Sequence, residues 1–249
     1  MLHRPPRAPR SRAAGRRLSD LLREARRCSR AAVIADIKLR SPRDGELLSA
    51  DRLEPYLREL TEGGIDALAT VTETPRFGGS LDIACRIRRL SGAPLMRKDF
   101  FRRLDQVDES AAVGFDALQL TLRTIGDDRL VAAMMERADA LSIEAVVGVH
   151  SAAELERAAA LGARIVGINN RDIAALETDD GTVSNTERLA GLVAPDVLVI
   201  SESGLNHPLD VARAAIAGAD AVLVATAFAR SQRPAATVRE FREAGRRRT

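Results

Sequence analysis

Tryptophan is absent from this chain, tyrosine occurs once, and aromatic residues make up only 3% of the 249 positions. A core without large rings must be built from Ala, Val, Leu and Ile, which suit a buried parallel sheet covered by helices. The shortage of rings also argues against modules that stack nucleic-acid bases. The net charge of +3 gathers in the first 30 residues and in the tail Arg246-Arg247-Arg248, which reads as solvated termini rather than a nucleic-acid arm. Residues 1–16 are Pro, Arg and Ala without an apolar period, and a disordered basic arm is expected there. Cysteine is limited to Cys28 and Cys85. Neither belongs to a CxxC pair, so both are expected to be buried or incidental thiols of a cytoplasmic protein. Three histidines, without an HxxxH spacing, provide no recognisable metal set. No apolar run approaches the roughly 20 residues that cross a bilayer, and no apolar segment follows the Arg-rich start as in a secretory signal. No metal, cofactor, nucleic acid or membrane partner is expected.

Lysine is scarce in a more informative way. Of 38 basic residues only Lys38 and Lys98 are lysines. Arginine keeps its proton under all ordinary conditions, whereas a lysine in the right surroundings can transfer one. Two lysines in an otherwise all-arginine chain are therefore candidates for proton transfer or for pairing with a substrate anion.

What the sequence does contain is alternation. A helix is predicted over residues 18–27, from Leu18, Leu21 and Leu22. Short apolar runs then follow at Ala32–Ile37, Ile65–Val71, Pro94–Met96, Ala117–Thr121, Glu144–Val149, Ile165–Ile168, Val197–Ile200 and Ala221–Val224. Between and after them, helical spacing recurs at 50–60, 81–90, 104–113, 128–140, 152–160, 186–192, 208–216 and 234–243. Strands alternating with helices indicate parallel βαβ units. Eight such units in about 250 residues fit one α/β domain, a single (β/α)₈ barrel over 17–249. Gly64-Ile65-Asp66, Gly114-Phe115-Asp116 and Gly218-Ala219-Asp220 mark helix exits, where glycine takes the left-handed cap conformation.

In such barrels the functional residues sit at the C-terminal strand ends and in the loops beyond them. The first strand offers Asp36, Lys38 and Ser41-Pro42. The second offers Thr72 and Glu73, then Phe77-Gly78-Gly79-Ser80. The third offers Arg97, Lys98 and Asp99, and the fifth ends in Gly148-Val149-His150. The sixth offers Asn169, Asn170 and Arg171, the seventh Ser201, Glu202, Ser203 and Gly204, and the eighth Ala225 and Thr226. Both lysines thus fall at the same end of the barrel. Two ammonium groups facing one cavity make it easier for either to give up a proton and act as a general acid. Ser203-Gly204 and Thr226 lie where barrels often hold a phosphate. Asp36 and Glu202 could pair with the lysines or accept a proton. His150 is read as a helix-start contact rather than a base.

Five stretches together resemble the indole-3-glycerol phosphate synthase family. They are Ile34-Ala35-Asp36-Ile37-Lys38 with Ser41-Pro42, Phe77-Gly78-Gly79-Ser80-Leu81, Leu95-Met96-Arg97-Lys98-Asp99-Phe100, Gly167-Ile168-Asn169-Asn170-Arg171-Asp172 and Ser201-Glu202-Ser203-Gly204. The likeness covers Leu18 to the C-terminus. It implies a carboxy-lyase of tryptophan biosynthesis that closes an indole ring from an anthranilate-bearing deoxyribulose phosphate, losing CO2 and water. Carried over, Lys98 is the general acid. Lys38 holds the substrate carboxylate and shares in proton transfer, while Asn169 and Glu202 orient sugar hydroxyls and lysines. Ser203, Gly204, Ala225 and Thr226 hold the phosphate with Arg171 nearby, Phe77 and Phe100 flank the aromatic ring, and Ser41 and Asp36 complete the site. The implied partner is a small phosphorylated molecule, and the implied state a monomer or weak homodimer.

Three departures stand out. The family carries a catalytic Glu on the fifth strand where this chain has Gly148. Its first-strand Glu is Asp36 here, one methylene shorter. The residues ahead of Leu18, which in the family help to cover the aromatic pocket, include no aromatic. A phosphate-loop glycine is also Ala225. These departures admit two alternatives: a divergent paralogue working on another phosphorylated substrate in specialised metabolism, with Gly148 making room for a different ring, or a non-catalytic sugar-phosphate-binding protein.

Overall fold

Residues 17–171 and 182–247 are described by a computed structural model. The expected basic arm, residues 1–16, lies outside the described residues. Eight parallel strands form a closed barrel: β1 (Ala32–Ile37), β2 (Ala67–Val71), β3 (Leu95–Lys98), β4 (Ala117–Thr121), β5 (Glu144–Val149), β6 (Ile165–Asn169), β7 (Leu198–Glu202) and β8 (Ala221–Val224). Each strand pairs with its neighbours in sequence, and β1 closes on β8 through Ala32–Ala221 to Ala35–Val224. Helices Leu53–Gly63, Leu81–Leu90, Asp105–Val113, Asp128–Ala140, Ala152–Ala160, Ser184–Leu189, Pro208–Ala217 and Pro234–Ala244 follow the strands in turn.

Period-two alternation divides the strand residues between two cores. Val33, Ala35, Ile37, Leu68, Leu118 and Leu120 belong to a large apolar cluster shared with residues of the surrounding helices. Ala32, Ile34, Ala67, Ala69, Met96, Ala117, Val146, Ile165, Leu198, Ile200, Ala221 and Leu223 form a separate cluster that fills the barrel. That cluster includes Leu18, Leu21, Leu22 and Ala25 of the first helix, Leu18–Arg27, which plugs the N-terminal end. Glu144, at the start of β5, accepts a hydrogen bond from the Ser19 amide at that end. It is therefore remote from the mouth.

The three Gly-x-Asp exits do two jobs. Gly64, Gly114 and Gly218 have φ of 88°, 90° and 114°, in the left-handed region. The aspartates that follow tie one strand start to another. Asp66 accepts from the Val33 amide, Asp116 from Leu95 and Asp220 from Val199. Each also pairs with an arginine: Arg30, Arg88 and Arg26 respectively.

The predicted units are all present, but some boundaries differ in an instructive way. β3 runs on to Lys98 and β7 to Glu202, beyond the apolar runs that predicted them. Their last inward residues are polar, Lys98 lining the mouth and Glu202 buried against it, so hydropathy alone ends the strand too early. A two-stranded ribbon, Arg40–Ser41 with Gly45–Glu46, and two one-turn helices, Leu122–Ile125 and Thr226–Ala229, were not anticipated. The cysteines are not buried: Cys28 is exposed and Cys85 partly so, and both are free. Among the described residues no helix is long and apolar enough to cross a membrane.

Candidate active site

The alternation that fills the barrel with apolar residues continues upward into a polar layer. Asp36 lies two residues beyond Ile34, Lys98 two beyond Met96, Gln119 two beyond Ala117, and Glu202 two beyond Ile200. Lys98 stands at the centre of this layer. Its Nζ lies 3.4 Å from Asp36 Oδ2 and 3.5 Å from Glu202 Oε2. Lys38 Nζ lies 3.8 Å from the same Asp36 oxygen. Two ammonium groups therefore face two carboxylates, and Asp36 bridges the lysines. Asp36 Oδ1 is buried and bonds to no described group. A buried unpaired carboxylate oxygen is costly in a folded protein, and a site that handles protons can use one.

Glu202 is fully buried. Gln119 Nε2 donates to it at 2.6 and 2.7 Å from Oε1 and Oε2. Gln119 was missed in the sequence because it sits inside an apolar run, and the residues that mark the site sit in loops or motifs. No local signal tells an inward glutamine from a solvent-facing one.

Two clefts meet at the lysines. The first is lined by Lys38, Val71, Glu73, Phe77, Lys98, Asp99, Phe100, Gln119, Thr121 and Asn169. Phe77 and Phe100 flank it with ring centroids 6.4 Å apart. Lys38 Nζ lies 5.4 Å from the Phe77 ring centre and Arg76 Cζ 5.3 Å from that of Phe100, within cation–π range. The aromatic loops are pinned from beneath. Glu73 Oε2 accepts from the amides of Arg76 and Phe77, and Asp99 Oδ1 from that of Phe100. Arg97, the lysine's neighbour, points the other way and is buried against Asp99, Thr72 and Ser110.

The second cleft is lined by Asp36, Lys38, Lys98, Arg171, Ser203, Gly204, Ala225 and Thr226, among others. Arg171 is buried, and its Nε meets no described partner. Ser203 and Gly204 have φ of 64° and 70°; a serine there is an uncommon conformation that tends to mark functional loops. Asn170 holds this turn by donating to the carbonyls of Glu202 and Ser203. Ala225, with φ of −116°, needs no glycine.

Thirteen residues were expected in the site. Lys38, Lys98, Asp36, Asn169, Phe77, Phe100, Arg171, Ser203, Gly204, Ala225 and Thr226 line the two clefts, and Glu202 lies directly beneath Lys98. Ser41 is buried in the ribbon turn, where its Oγ bonds Asp44 and accepts from the Arg43 and Asp44 amides. It lines neither cleft. Asn169 accepts from the Arg171 amide and thereby shapes the turn after β6.

Two further expectations meet the geometry directly. His150 opens the helix after β5: its amide and Nδ1 both contact Glu154 Oε2, at 2.7 and 3.2 Å. Burial alone would raise the Glu154 carboxyl, but bonds from His150 and Arg123 outweigh it and hold the group down at about 2. Gly148, by contrast, does not leave room for another ring. A Cβ there would meet Thr121 Oγ1 at 2.9 Å, Thr121 Cα at 3.2 Å and Gln119 Nε2 at 3.4 Å. The space is already taken.

The closed eight-strand barrel, with paired lysines between an aromatic cleft and an arginine-lined one, defines a (β/α)₈ enzyme with its chemistry at the strand C-termini. The family profile for indole-3-glycerol phosphate synthase matches residues 6–241. Proteins of that name from Kineococcus radiotolerans and Nocardioides are 38% and 39% identical, each over 86% of this chain and 76% and 81% of their own length. One from Pyrococcus abyssi is 33% identical over 90% of this chain and 96% of its own. The chain belongs to the indole-3-glycerol phosphate synthase family. Among solved structures, thiamine phosphate pyrophosphorylase from Pyrococcus furiosus shares the fold alone. Its TM-score is 0.62 at 18% identity, over 88% of this chain and 96% of that one.

Proposed function

We propose that this barrel closes an indole ring from 1-(2-carboxyphenylamino)-1-deoxyribulose 5-phosphate with loss of CO2 and water, a step of tryptophan biosynthesis. The observation that carries the reading is the position of Lys98, held by two carboxylates where the aromatic and arginine-lined clefts meet. The substrate's ring lies against Phe77 and Phe100, and its phosphate lies against Arg171, Ser203, Gly204, Ala225 and Thr226. That puts the ketose carbonyl beside Lys98.

In the first step the ring carbon bearing the carboxylate bonds to the ketose carbonyl carbon, whose oxygen takes a proton from Lys98. CO2 then departs, leaving its bonding electrons to restore the aromatic ring. The new hydroxyl takes a second proton, from Lys38, and leaves as water. The methylene between that carbon and the nitrogen gives its proton to Asp36, completing the indole double bond. Two protons enter and one is returned; the net proton balances the negative charge lost as CO2. Placing a general acid in this way is worth about 10²–10⁴ in rate.

The chain acts in the cytoplasm, where its phosphorylated substrate belongs, as a monomer or weak homodimer. The test is incubation with the substrate, following indole fluorescence and released CO2. One of each per substrate is expected, with no turnover of the analogue lacking the ring carboxyl. Absence of both products, with the protein folded, contradicts the proposal.

A further inference from the structure

Gln119 reaches Glu202 across two intervening strands. β4 carries the amide and β7 the carboxylate, with β5 and β6 between them. At the level of the crossing both intervening residues are glycine, Gly148 and Gly167, paired in register. A Cβ on Gly148 would stand 3.4 Å from Gln119 Nε2. One on Gly167 would stand 3.3 Å from that nitrogen and only 2.0 Å from Glu202 Oε1. Gly167 has to lack a side chain for the pair to form, while a Cβ on Gly148 would crowd Thr121, at 2.9 Å from its Oγ1, and only touch the Gln119 amide.

The bond pattern gives the pair a purpose. The amide offers hydrogen to both oxygens of Glu202, the arrangement of an acceptor-only carboxylate. Glu202 Oε2, one of those two oxygens, is also a carboxylate contact of Lys98 Nζ. Glu202 lines neither cleft, whereas Gln119 lines the aromatic one. Gln119 thus ties down the carboxylate that meets Lys98 on one side, while Asp36 meets it on the other.

We propose that Gln119 is a positioning residue for the ring-closing reaction: acting through Glu202, it fixes the Lys98 ammonium at the reacting carbonyl, in the space that a side chain on strand β5 would otherwise occupy. The inference rests on the reaction proposed above. A neutral amide cannot itself take a proton from carbon, so its role is geometric and electrostatic, and the proton acceptor is a carboxylate.

The experiment compares wild type with Gln119→Leu and Gln119→Glu under steady-state turnover of the carboxyphenylamino substrate. The first variant removes the donor at similar size; the second keeps the length but replaces the neutral amide with a carboxyl that must repel Glu202 or share a proton with it. Thermal stabilisation by inorganic phosphate serves as a separate check on the fold and the arginine-lined cleft. In both variants kcat is expected to fall at least tenfold, with KM within about threefold and the phosphate response retained, because the arginine-lined cleft and the Phe77 and Phe100 rings are untouched. A purely packing role would lower the melting temperature and leave kcat per folded molecule unchanged, and that result would overturn the inference. So would a loss confined to KM. An inactive wild type overturns the proposed reaction and this inference with it; an active wild type with indifferent Gln119 variants overturns the inference alone.

Discussion

Gly167→Ala is the smallest change that strikes the centre of the site without removing any of its functional groups. The added methyl would lie 2.0 Å from Glu202 Oε1 and 3.1 Å from its Cδ, well inside contact distance, so the carboxylate must turn away. Turning breaks the two charge-assisted bonds from Gln119 and the contact with Lys98. Hydrogen bonds to charged groups contribute about 1.5–3 kcal/mol, and overpacking a filled interior costs about 1–3 kcal/mol. Taking the Gln119–Glu202 pair as one such interaction, the two give a loss of about 2.5–6 kcal/mol. In a domain of this size each kcal/mol is about 2–4 °C, so a fall in Tm of roughly 10 °C is expected by calorimetry. kcat should fall as well, since Lys98 loses a partner. Gly92→Ala is the matched control: nothing lies within 4 Å of the point where its methyl would stand, and neither Tm nor kcat should move. A Gly167→Ala protein with wild-type Tm and kcat would refute the packing of Glu202 described above.

Lys98→Arg keeps the positive charge between Asp36 and Glu202 but not the transferable proton; turnover should fall about 10²–10⁴-fold, while circular dichroism shows an intact fold. Inorganic phosphate at about 100 times its Kd should stabilise the wild type by about 2.7 kcal/mol, and Arg171→Ala should abolish most of the corresponding thermal shift at the same concentration. The Glu154 carboxyl is held below its ordinary range in the folded state, at about 2. Its contribution to stability is therefore complete at neutral pH and is lost as pH falls through the acid range toward that value. Glu154→Gln should thus be less stable than wild type at pH 7, with the difference closing by about pH 2 in acid-unfolding curves.

The barrel was legible because its pattern is local. Short apolar runs, helical spacing and Gly-x-Asp exits each depend on a few neighbouring residues, and the exits do what their sequence suggests, with Asp66, Asp116 and Asp220 tying strand starts together. Lys38 and Lys98 were legible for a different reason: in a chain that uses arginine everywhere else, their retention is conspicuous. What stayed hidden depends on closure. Gln119 meets Glu202 only after four strands have wrapped into place, and nothing within Ala117–Thr121 signals which way its third residue faces. The meaning of Gly148 was hidden for the same reason. Read along the chain it is a missing carboxylate with room to spare; in the barrel its neighbours Thr121 and Gln119 fill that room. Ser41 carries a motif but spends its hydroxyl on a turn, which spacing alone cannot reveal.

The most direct test is to measure indole-glycerol phosphate formation by the wild-type protein and Gly148→Glu side by side, at matched concentration and with folding verified. Wild type is expected to turn over at an ordinary enzymatic rate, about 1 s⁻¹ or faster. Gly148→Glu is expected to be slower, because its side chain displaces Gln119 and Thr121. A silent wild type beside an active Gly148→Glu would contradict the account, by showing that the barrel still needs the carboxylate it lacks.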